Sequence, residues 1–218
     1  MSPVLSDALS REQALIFRIT HVDNVPWVLR NGLWCANGEN ADPTFVSIGN
    51  AELIAKRPTR KVEVAPWGGL GDYVPFYFTP RSPMLYNIHT GWGGITKRSN
   101  EEIVVLVSAL PELERRRVRF VFTDRHAYLA QARFYSSCAE LGAIDFEILR
   151  RSDFARDPED PGKFDRYQAE ALVHRHLPVD ALLGIGCYTG DVKQALEAEV
   201  QRVGLSLKVE LRREWYFQ

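Results

Sequence analysis

Short runs of hydrophobic and β-branched residues recur along the chain, separated by polar segments that contain glycine or proline. Runs of this length that are rich in valine, isoleucine and aromatic residues are typical of strands. The pattern predicts strands at residues 14–20, 73–79, 102–110, 118–124, 182–188 and 205–213. The run at 102–110 is continuously apolar, which is typical of a strand that is buried on both faces.

Other stretches show the apolar spacing and the end signals of helices. In the segment 24–32, Asn24 can cap a helix, Pro26 falls in its first turn and Gly32 can end it. Further helices are predicted at residues 47–57, 82–89, 126–141 and 190–204, and loops in the rest of 33–72, at 91–94 and at 150–164. Because strands and helices are interspersed without a regular βαβ rhythm, the pattern predicts an α+β fold with a largely antiparallel sheet.

Composition limits the class of protein. The chain has 218 residues, of which 45% are hydrophobic, and this predicts one domain spanning residues 1–218 with a substantial core. No apolar stretch approaches the roughly 20 residues that cross a bilayer, and residues 1–13 lack a basic-then-apolar signal pattern. We therefore expect a cytoplasmic protein without a membrane partner.

The three cysteines, Cys35, Cys138 and Cys187, lie far apart and have no CxxC spacing. This argues against a structural zinc site and against a disulfide framework. The net charge of −1 argues against a uniformly basic surface but allows a local one. The cluster Arg115, Arg116, Arg117 and Arg119 is open to two interpretations, a solvated surface or a contact with nucleic-acid phosphates.

One carboxylate stands out because Glu170 lies between two alanines at the head of an apolar run. A charge at such a position is costly unless water or a partner stabilises it. If the segment is a helix, Glu170 lies on its surface. If it is a strand, Glu170, Leu172 and His174 share one face, and the carboxylate follows a long loop, where functional sites concentrate.

Other candidate residues are ambiguous on their own. Arg57 can be a surface arginine, His126 can begin a helix, and Met84 and Tyr86 can belong to the core. There is no GxGxxG after the first predicted strand and no GxSxG elbow. Spacing alone therefore does not assemble these residues into a site.

Four distinctive blocks are spread along the chain: ALIFRITHVDNVPWVLRNGLWC, DYVPFYFTPRSPMLYNIHTG, FVFTDRHAYLA and KFDRYQAEALV, with EWYF near the end. Together they resemble the DarT family of DNA ADP-ribosyltransferase toxins. The resemblance implies an α+β, ADP-ribosyltransferase-like fold with a mainly antiparallel split sheet flanked by helices. It also implies NAD as co-substrate, no permanently bound cofactor and no metal.

The resemblance further implies a substrate and a partner. The substrate is a base in a short motif of single-stranded DNA, thymidine in the first interpretation with guanine left open, and nicotinamide is released. The partner is a macrodomain antitoxin of the DarG type that removes the modification. The residues leave open a nucleic-acid-binding module without turnover, and an ADP-ribosyltransferase that acts on RNA or protein.

Individual roles follow from the matching positions. The resemblance makes Glu170 and Arg57 the catalytic residues, and it makes the loop 150–168 a selector of substrate. NAD contacts fall on Arg18, Ile19, Thr20, Trp27, Cys35 and Arg57. DNA contacts fall on Arg81, Ser82, Met84, Tyr86, His126 and Arg166. Because a guanidinium deprotonates only above about pH 12, we expect Arg57 to stabilise negative charge rather than to accept a proton.

Overall fold

A computed structural model describes residues 9–218. Residues 1–8 lie outside the described residues. The predicted domain and the segment that lacks a signal pattern both begin there. The strands are β1 (Leu15–His21), β2 (Leu33–Trp34), β3 (Tyr73–Tyr77), β4 (Ile103–Ala109), β5 (Phe120–Thr123), β6 (Phe134–Tyr135), β7 (Glu170–His174), β8 (His176–Leu177), β9 (Gly184–Cys187) and β10 (Lys208–Leu211). Eight of them form one sheet in the order β10-β9-β4-β1-β3-β7-β5-β6, and β2 pairs with β8.

The large sheet is antiparallel except where β10 runs parallel to β9. Strand β1 pairs with β4 along its whole length. Toward β3, in the part of the chain that the structure describes, a single register pair, Phe17 with Tyr77, joins the two strands. The sheet therefore splits between β1 and β3, in agreement with the predicted fold class.

Helices cover the sheet and its ends. They are α1 (Val25–Asn31), α2 (Ala51–Lys56), α3 (Pro83–Thr90), α4 (Leu110–Arg115), α5 (Phe146–Arg151), α6 (Lys163–Tyr167) and α7 (Gly190–Arg202). Helix α2 begins later than predicted because the Asn50 side chain caps it by accepting the Leu53 N–H at 2.9 Å. Among residues 9–218, no helix is both long and apolar enough to cross a membrane.

The core lies on both sides of the sheet. Every residue of β4 is buried, as its continuous apolar character predicts. The larger hydrophobic cluster includes Phe17, Phe76, Phe78 and Phe122. A smaller cluster joins the 60–70 segment to the sheet through Val62, Leu70, Tyr73, Val121 and Leu172.

The predicted helix at 126–141 is wrong. The segment instead contains turns, strand β6 and a 3₁₀ helix at Cys138–Ala143. Two side chains outside the segment accept its backbone N–H groups: Glu170 accepts the Ala127 N–H at 2.9 Å, and Asp124 accepts the Arg133 N–H at 3.0 Å. The Asp124 bond replaces the one that the Arg133 N–H would make within a helix.

The predicted loop at 150–164 is shorter in the structure. Helix α5 extends into its start, where Ser152 takes a left-handed conformation after the helix, and α6 occupies its end. The glycine-rich segment 91–94 contains a short 3₁₀ helix, and the final strand is limited to β10. Of the two interpretations of the Glu170 segment, the strand is correct.

Candidate functional site

Glu170 is the first residue of β7 and its side chain is 2% exposed. The neighbouring strand places Tyr77 directly opposite it. Its carboxylate accepts hydrogen bonds from Arg57 Nη1 at 3.2 Å and Nη2 at 2.8 Å, one on each oxygen. The Ala127 N–H donates a further bond to Oε1 at 2.9 Å. The buried charge is therefore compensated, as its position in an apolar run requires.

Arg57 lies where α2 passes into a 3₁₀ helix, Arg57–Thr59, that begins with Arg57–Pro58. Burial lowers the pKa of Arg57, but the charge and hydrogen bonds of Glu170 outweigh burial and raise it above its ordinary value. Burial raises the pKa of Glu170, but the charges of Arg57 and His126 and the hydrogen bonds from Arg57 and Ala127 together outweigh it, and the net shift is downward. Both groups are therefore ionised near neutral pH.

Arg18 brings a second positive charge to the split between β1 and β3. Its Nη1 donates to the Pro75 carbonyl at 2.9 Å. Its buried Nε has no hydrogen-bond partner among residues 9–218. Burial first, and then the neighbouring Arg57, lower the pKa of Arg18 to about 10, so the side chain remains charged at neutral pH. An unpartnered donor of this kind suits an anionic ligand, such as a phosphate oxygen.

Arg18, Arg57 and Glu170 line one cleft, which we call the glutamate cleft. Its empty volume is about 740 Å³, part of which is open to solvent. The remaining lining residues are mostly apolar and come from β1, the 45–49 loop, α2, β3 and α3, with one from the 126 turn: Ile19, Phe45, Ser47, Ile48, Gly49, Leu53, Ile54, Pro75, Tyr77, Met84 and His126. A few charged groups in apolar walls are the usual composition of a small-molecule site.

A second cleft adjoins the first, and we call it the aromatic cleft. Both are lined by Leu53, Tyr77, Met84 and His126. The aromatic cleft adds four rings, one basic side chain, three amides and three apolar residues: Tyr86, Trp92, Phe154, Phe164, Arg156, Asn50, Asn87, Gln168, Pro83, Ile95 and Ala155. Trp92 is 71% exposed and Tyr86 is 40% exposed, so flat surfaces are available for stacking.

His126 lies at the junction of the two clefts. Its Nδ1 accepts the Tyr128 N–H at 3.3 Å, which assigns the ring proton of the neutral imidazole to Nε2. That Nε2 is 3.9 Å from Glu170 Oε1, within reach of a small shift. His126 can therefore donate a hydrogen bond toward the carboxylate or toward a ligand placed between the clefts.

Tyr77 is a site residue that sequence reasoning missed. It lines both clefts and pairs with Glu170 across the sheet. Burial, and then the Glu170 charge, raise the pKa of its hydroxyl, which therefore stays protonated. Tyr77 lies in a run of aromatic residues, YVPFYF, and nothing in that run distinguishes it from core residues. The available signal was the alternation of side chains along the strand, which places Pro75 and Tyr77 on the same face.

Three of the predicted NAD contacts do not line either cleft. Thr20 is buried, and its hydroxyl accepts a hydrogen bond from Asn24 Nδ2 at 2.9 Å. Trp27 lies on α1, and its carbonyl accepts from Asn31. Cys35 is buried after β2, and burial raises the pKa of its thiol. Of the predicted NAD contacts, the glutamate cleft brings together Arg18, Ile19 and Arg57.

The predicted DNA contacts divide in the same way. Met84, Tyr86 and His126 line the aromatic cleft. Ser82 is buried and caps α3, since its hydroxyl accepts the Leu85 N–H at 3.2 Å. Arg81 donates to the carbonyls of Glu214 at 3.2 Å and Tyr216 at 2.8 Å, and it lies over the Phe217 ring.

Arg166 is also engaged within the protein. It bonds Asp160 through two nitrogens, at 3.0 and 2.6 Å, and Asp145 at 3.3 Å. These bonds tie the irregular 152–162 segment to α6 and to the start of α5. Phe164 and Gln168, on either side of Arg166, line the aromatic cleft, as do residues 154–156 of the irregular segment.

The arrangement can stabilise a cationic sugar and bind an anion at the same time. Glu170 presents a carboxylate inside a partly enclosed cleft, where electrostatic interactions are stronger than in water. Arg18 and Arg57 supply positive charge on the same wall. Among residues 9–218, no group of three His, Cys, Asp or Glu side chains could hold a metal ion.

The chain is similar to known proteins over nearly its whole described length. A family model described as "ssDNA thymidine ADP-ribosyltransferase, DarT" matches residues 17–217. A DNA ADP-ribosyl transferase of Escherichia coli O127:H6 is 51% identical over 212 residues, which cover 97% of each chain. A DNA ADP-ribosyl transferase–DNA ADP-ribosyl glycohydrolase fusion protein of Thermosipho africanus is 26% identical over 159 residues, covering 72% of this chain and 38% of that protein.

Solved structures are similar as well. DarT of Thermus sp. 2.9 in complex with ADP-ribosylated single-stranded DNA has a TM-score of 0.86 and 34% identity, and the match covers 94% of this chain and 97% of that one. The same protein in complex with NAD⁺ has a TM-score of 0.81, with 94% and 98% covered. These similarities confirm the predicted α+β fold and enzyme class. The chain belongs to the DarT family of single-stranded DNA ADP-ribosyltransferases.

Proposed function

We propose that this protein transfers ADP-ribose from NAD to thymidine within a short motif of single-stranded DNA, with release of nicotinamide. The observation that carries the proposal is the junction of the two clefts at His126 and Tyr77, beside Glu170. One cleft has the charges and shape for a dinucleotide, and the other has exposed rings for bases. Family membership supports the same pairing of substrates.

The glutamate cleft is the NAD side of the proposed site. Arg18, with its unpartnered Nε, and Arg57 suit the two charges of a pyrophosphate. The apolar walls, including Ile19, Phe45 and Ile48, suit the adenine and nicotinamide rings. Among the described residues, Glu170 Oε2 accepts one hydrogen bond, which comes from Arg57 Nη2. This oxygen therefore retains a lone pair that can accept a bond from a ribose hydroxyl.

The chemistry follows from the charges. NAD supplies an activated glycosidic bond, whose electron pair leaves with nicotinamide. The carboxylate of Glu170 stabilises the positive charge that develops on the sugar, as carboxylates do in glycosidases. A thymine nitrogen bonds to the anomeric carbon and loses its proton, for which Glu170 is the anionic acceptor in the cleft. Arg57, held positive by Glu170, stabilises negative charge on the base or the phosphates.

The aromatic cleft is the DNA side of the proposed site. A thymine nitrogen that is engaged in pairing cannot reach the anomeric carbon, so the strand must be single or the base extruded. Tyr86, Trp92 and Phe164 offer stacking surfaces, and Arg156 offers positive charge to the backbone. The amides of Asn50, Asn87 and Gln168 can read base edges, which would confine the reaction to a short sequence motif.

We further propose that the protein is a toxin of the cytoplasm, where NAD and single-stranded DNA both occur. A macrodomain partner would reverse its modification. The fusion of a DNA ADP-ribosyl transferase with a DNA ADP-ribosyl glycohydrolase in the Thermosipho africanus relative supports such a partner. Co-expression of a DNA ADP-ribosyl glycohydrolase should then restore growth of cells that express this chain, whereas an inactive glycohydrolase should not.

The test of the proposed function is incubation with NAD and a library of single-stranded oligonucleotides that carry one thymidine and randomised neighbours. Mass spectrometry should find ADP-ribose on thymidine in a subset of sequences. Labelling of guanine would overturn the base assignment and keep the enzyme class. RNA and protein arms test the rival acceptors. The absence of nicotinamide release with every acceptor, although the oligonucleotides bind, would favour a binding module without turnover.

A further inference from the structure

A third cleft, which Glu170 does not line, combines an exposed ring with positive charge. It is lined by the 65–67 turn, residues 117–120, Glu114 and Ser136, and we call it the Trp67 cleft. Trp67 is 60% exposed, which is unusual for the largest apolar side chain. Arg117 and Arg119 are exposed beside it.

The four arginines of the 115–119 cluster differ in their contacts, and two of them line this cleft. Arg115 and Arg116 form ion pairs with Glu112, and Arg116 also with Asp180. Arg117 and Arg119 form none within the part of the chain that the structure describes. Glu114, the acidic residue of the cleft, accepts the Cys138 N–H at 3.4 Å. Because neither arginine is paired with a carboxylate among residues 9–218, both can bind an anion next to the exposed indole.

The backbone of Trp67 is fixed by two hydrogen bonds. The Trp67 carbonyl accepts the Tyr73 hydroxyl at 2.7 Å, and its N–H donates to the Val64 carbonyl at 2.9 Å. The φ angle of Trp67 is 65° and that of Arg117 is 58°, both in the left-handed region that side chains other than glycine rarely adopt. Backbone strain of this kind is concentrated at functional positions.

The cleft lies on the same face of the sheet as Glu170. Side chains alternate along β7, so Glu170, Leu172 and His174 share one face. Val62 and Leu70 pack against Leu172 on that face, so the 60–70 segment extends beside the active site. Arg119 precedes Val121 of the same cluster by two residues, which gives it the same orientation.

The separation along the sheet is moderate. Tyr77 pairs with Glu170, and Tyr73 pairs with His174. Four residues of strand separate these two pairs by about 13 Å, and the length of the Tyr73 side chain, whose hydroxyl bonds the Trp67 carbonyl, adds to that distance. A strand of DNA whose acceptor base lies at Glu170 can span that distance with a few flanking nucleotides.

We propose that Trp67, Arg117 and Arg119 form a second subsite for the single-stranded DNA substrate, which holds nucleotides outside the modified motif. Trp67 stacks on a base, and the two arginines bind phosphates of the flanking strand. Stacking and phosphate contacts are tolerant of sequence, so the subsite raises affinity without adding to the target motif. The proposal rests on the proposed function, since it extends the same substrate.

The test compares a short oligonucleotide, limited to the motif, with one extended on both sides by nucleotides without thymidine. Trp67→Ala should raise KM for the long oligonucleotide by about 5- to 100-fold and leave KM for the short one unchanged. Arg117→Gln with Arg119→Gln should lower the slope of log affinity against log salt by about 1.4, at roughly 0.7 for each phosphate contact. Leu183→Ala and Arg202→Gln, exposed residues away from this cleft, are the matched controls.

Binding without NAD, measured by fluorescence anisotropy with the same oligonucleotides, separates the two proposals. If the wild-type protein binds the long oligonucleotide more tightly than the short one but modifies neither, the proposed function is wrong. The subsite is still supported by that result. Equal wild-type affinities for the two lengths would overturn the subsite. So would an equal effect of Trp67→Ala on both lengths, because a fold or active-site defect does not depend on strand length.

Discussion

Arg57 and Glu170 face each other across the glutamate cleft in a two-point ion pair, with nitrogen–oxygen distances of 3.2 and 2.8 Å. The two residues are 113 positions apart in the chain. Glu170 is held by the first position of a strand, and Arg57 by the end of a helix. The pair keeps a carboxylate ionised inside an apolar cleft before any substrate arrives.

Glu170→Gln should lower kcat by about 100-fold or more, because a neutral amide does not stabilise a cationic sugar. The shape of the side chain is kept. We expect a loss of about 1–3 kcal/mol of unfolding free energy, because Arg57 loses its ionic partner but its side chain, 14% exposed, can reach water. Domains have about 5–15 kcal/mol, so the variant should fold. Nicotinamide release and thermal melting measure the two effects.

The control for this variant is Glu197→Gln, an exposed residue of α7 paired with Lys193. It should change neither the rate nor the melting temperature beyond error. Wild-type turnover in Glu170→Gln would contradict the catalytic assignment.

Arg57→Lys should recover little of the activity that Arg57→Ala loses. Lysine keeps the charge, but it cannot bond both oxygens of Glu170 with a planar fork. We expect kcat/KM of both variants to fall by more than about tenfold, with KM for NAD raised in each. Steady-state kinetics with NAD varied test this. Full recovery with lysine would show that a point charge suffices there, and Arg202→Lys serves as the control.

The pH dependence of stability should report the same pair. The pKa of Glu170 lies below its unfolded value of about 4.3, so the stabilising contribution is complete above that pH. It is lost as the pH falls through the folded pKa. The difference in melting temperature between wild type and Glu170→Gln should therefore be constant between about pH 6 and pH 8, and should shrink below about pH 4. A difference that grows on acidification would mean that the folded pKa is raised.

Duplex DNA should be a much poorer substrate than the same strand alone. Unpairing a thymine costs a few kcal/mol, which corresponds to a rate about 100-fold lower when DNA is limiting. Initial rates with a labelled strand, measured before and after annealing to its complement, check the expectation. Equal rates would exclude modification at a pairing edge of the base.

Arg81→Ala should destabilise the protein and weaken DNA binding indirectly. Arg81 holds two carbonyls of the 214–217 segment and lies over the Phe217 ring. That ring packs against Tyr86 and Phe154, which line the aromatic cleft. We expect a loss of about 1–2 kcal/mol and a KM that rises for DNA but not for NAD.

Phe217→Leu tests the same connection from the other side, because it should raise KM for DNA while Arg81 is intact. An Arg81→Ala variant with the wild-type melting temperature and a raised KM for DNA would instead support the direct DNA contact that the family resemblance implies.

Local sequence determined much of the fold. The apolar run of β4, the first-turn proline and the glycine stop of α1, and the boundaries of α7 all depend on residues close in the chain. The predicted Asn24 cap is wrong, because that side chain bonds Thr20 Oγ1 and the backbone of Val46 instead. Such patterns fix which segments are strands and helices, and their irregular order indicated the antiparallel α+β class that the structure and the comparisons confirm.

For the site, local sequence determined less. It marked Glu170 as a carboxylate in an apolar setting but left helix and strand open, and the resemblance rather than the spacing paired it with Arg57. The structure brings these two residues together with Arg18, and adds Tyr77, which one run of similar aromatic residues concealed.

Tertiary contacts decided the remainder, because hydrogen-bond partners came from distant parts of the chain. The 126–141 segment is not a helix. Glu170 accepts the Ala127 N–H at its start, and Asp124 accepts the Arg133 N–H, which a helix would donate to the carbonyl four residues earlier. Arg81 and Arg166, expected at DNA, are bonded to the C-terminal segment and to two aspartates. Periodicity reports which face of an element is apolar, whereas the partner of a buried charge or donor depends on how the strands and loops pack.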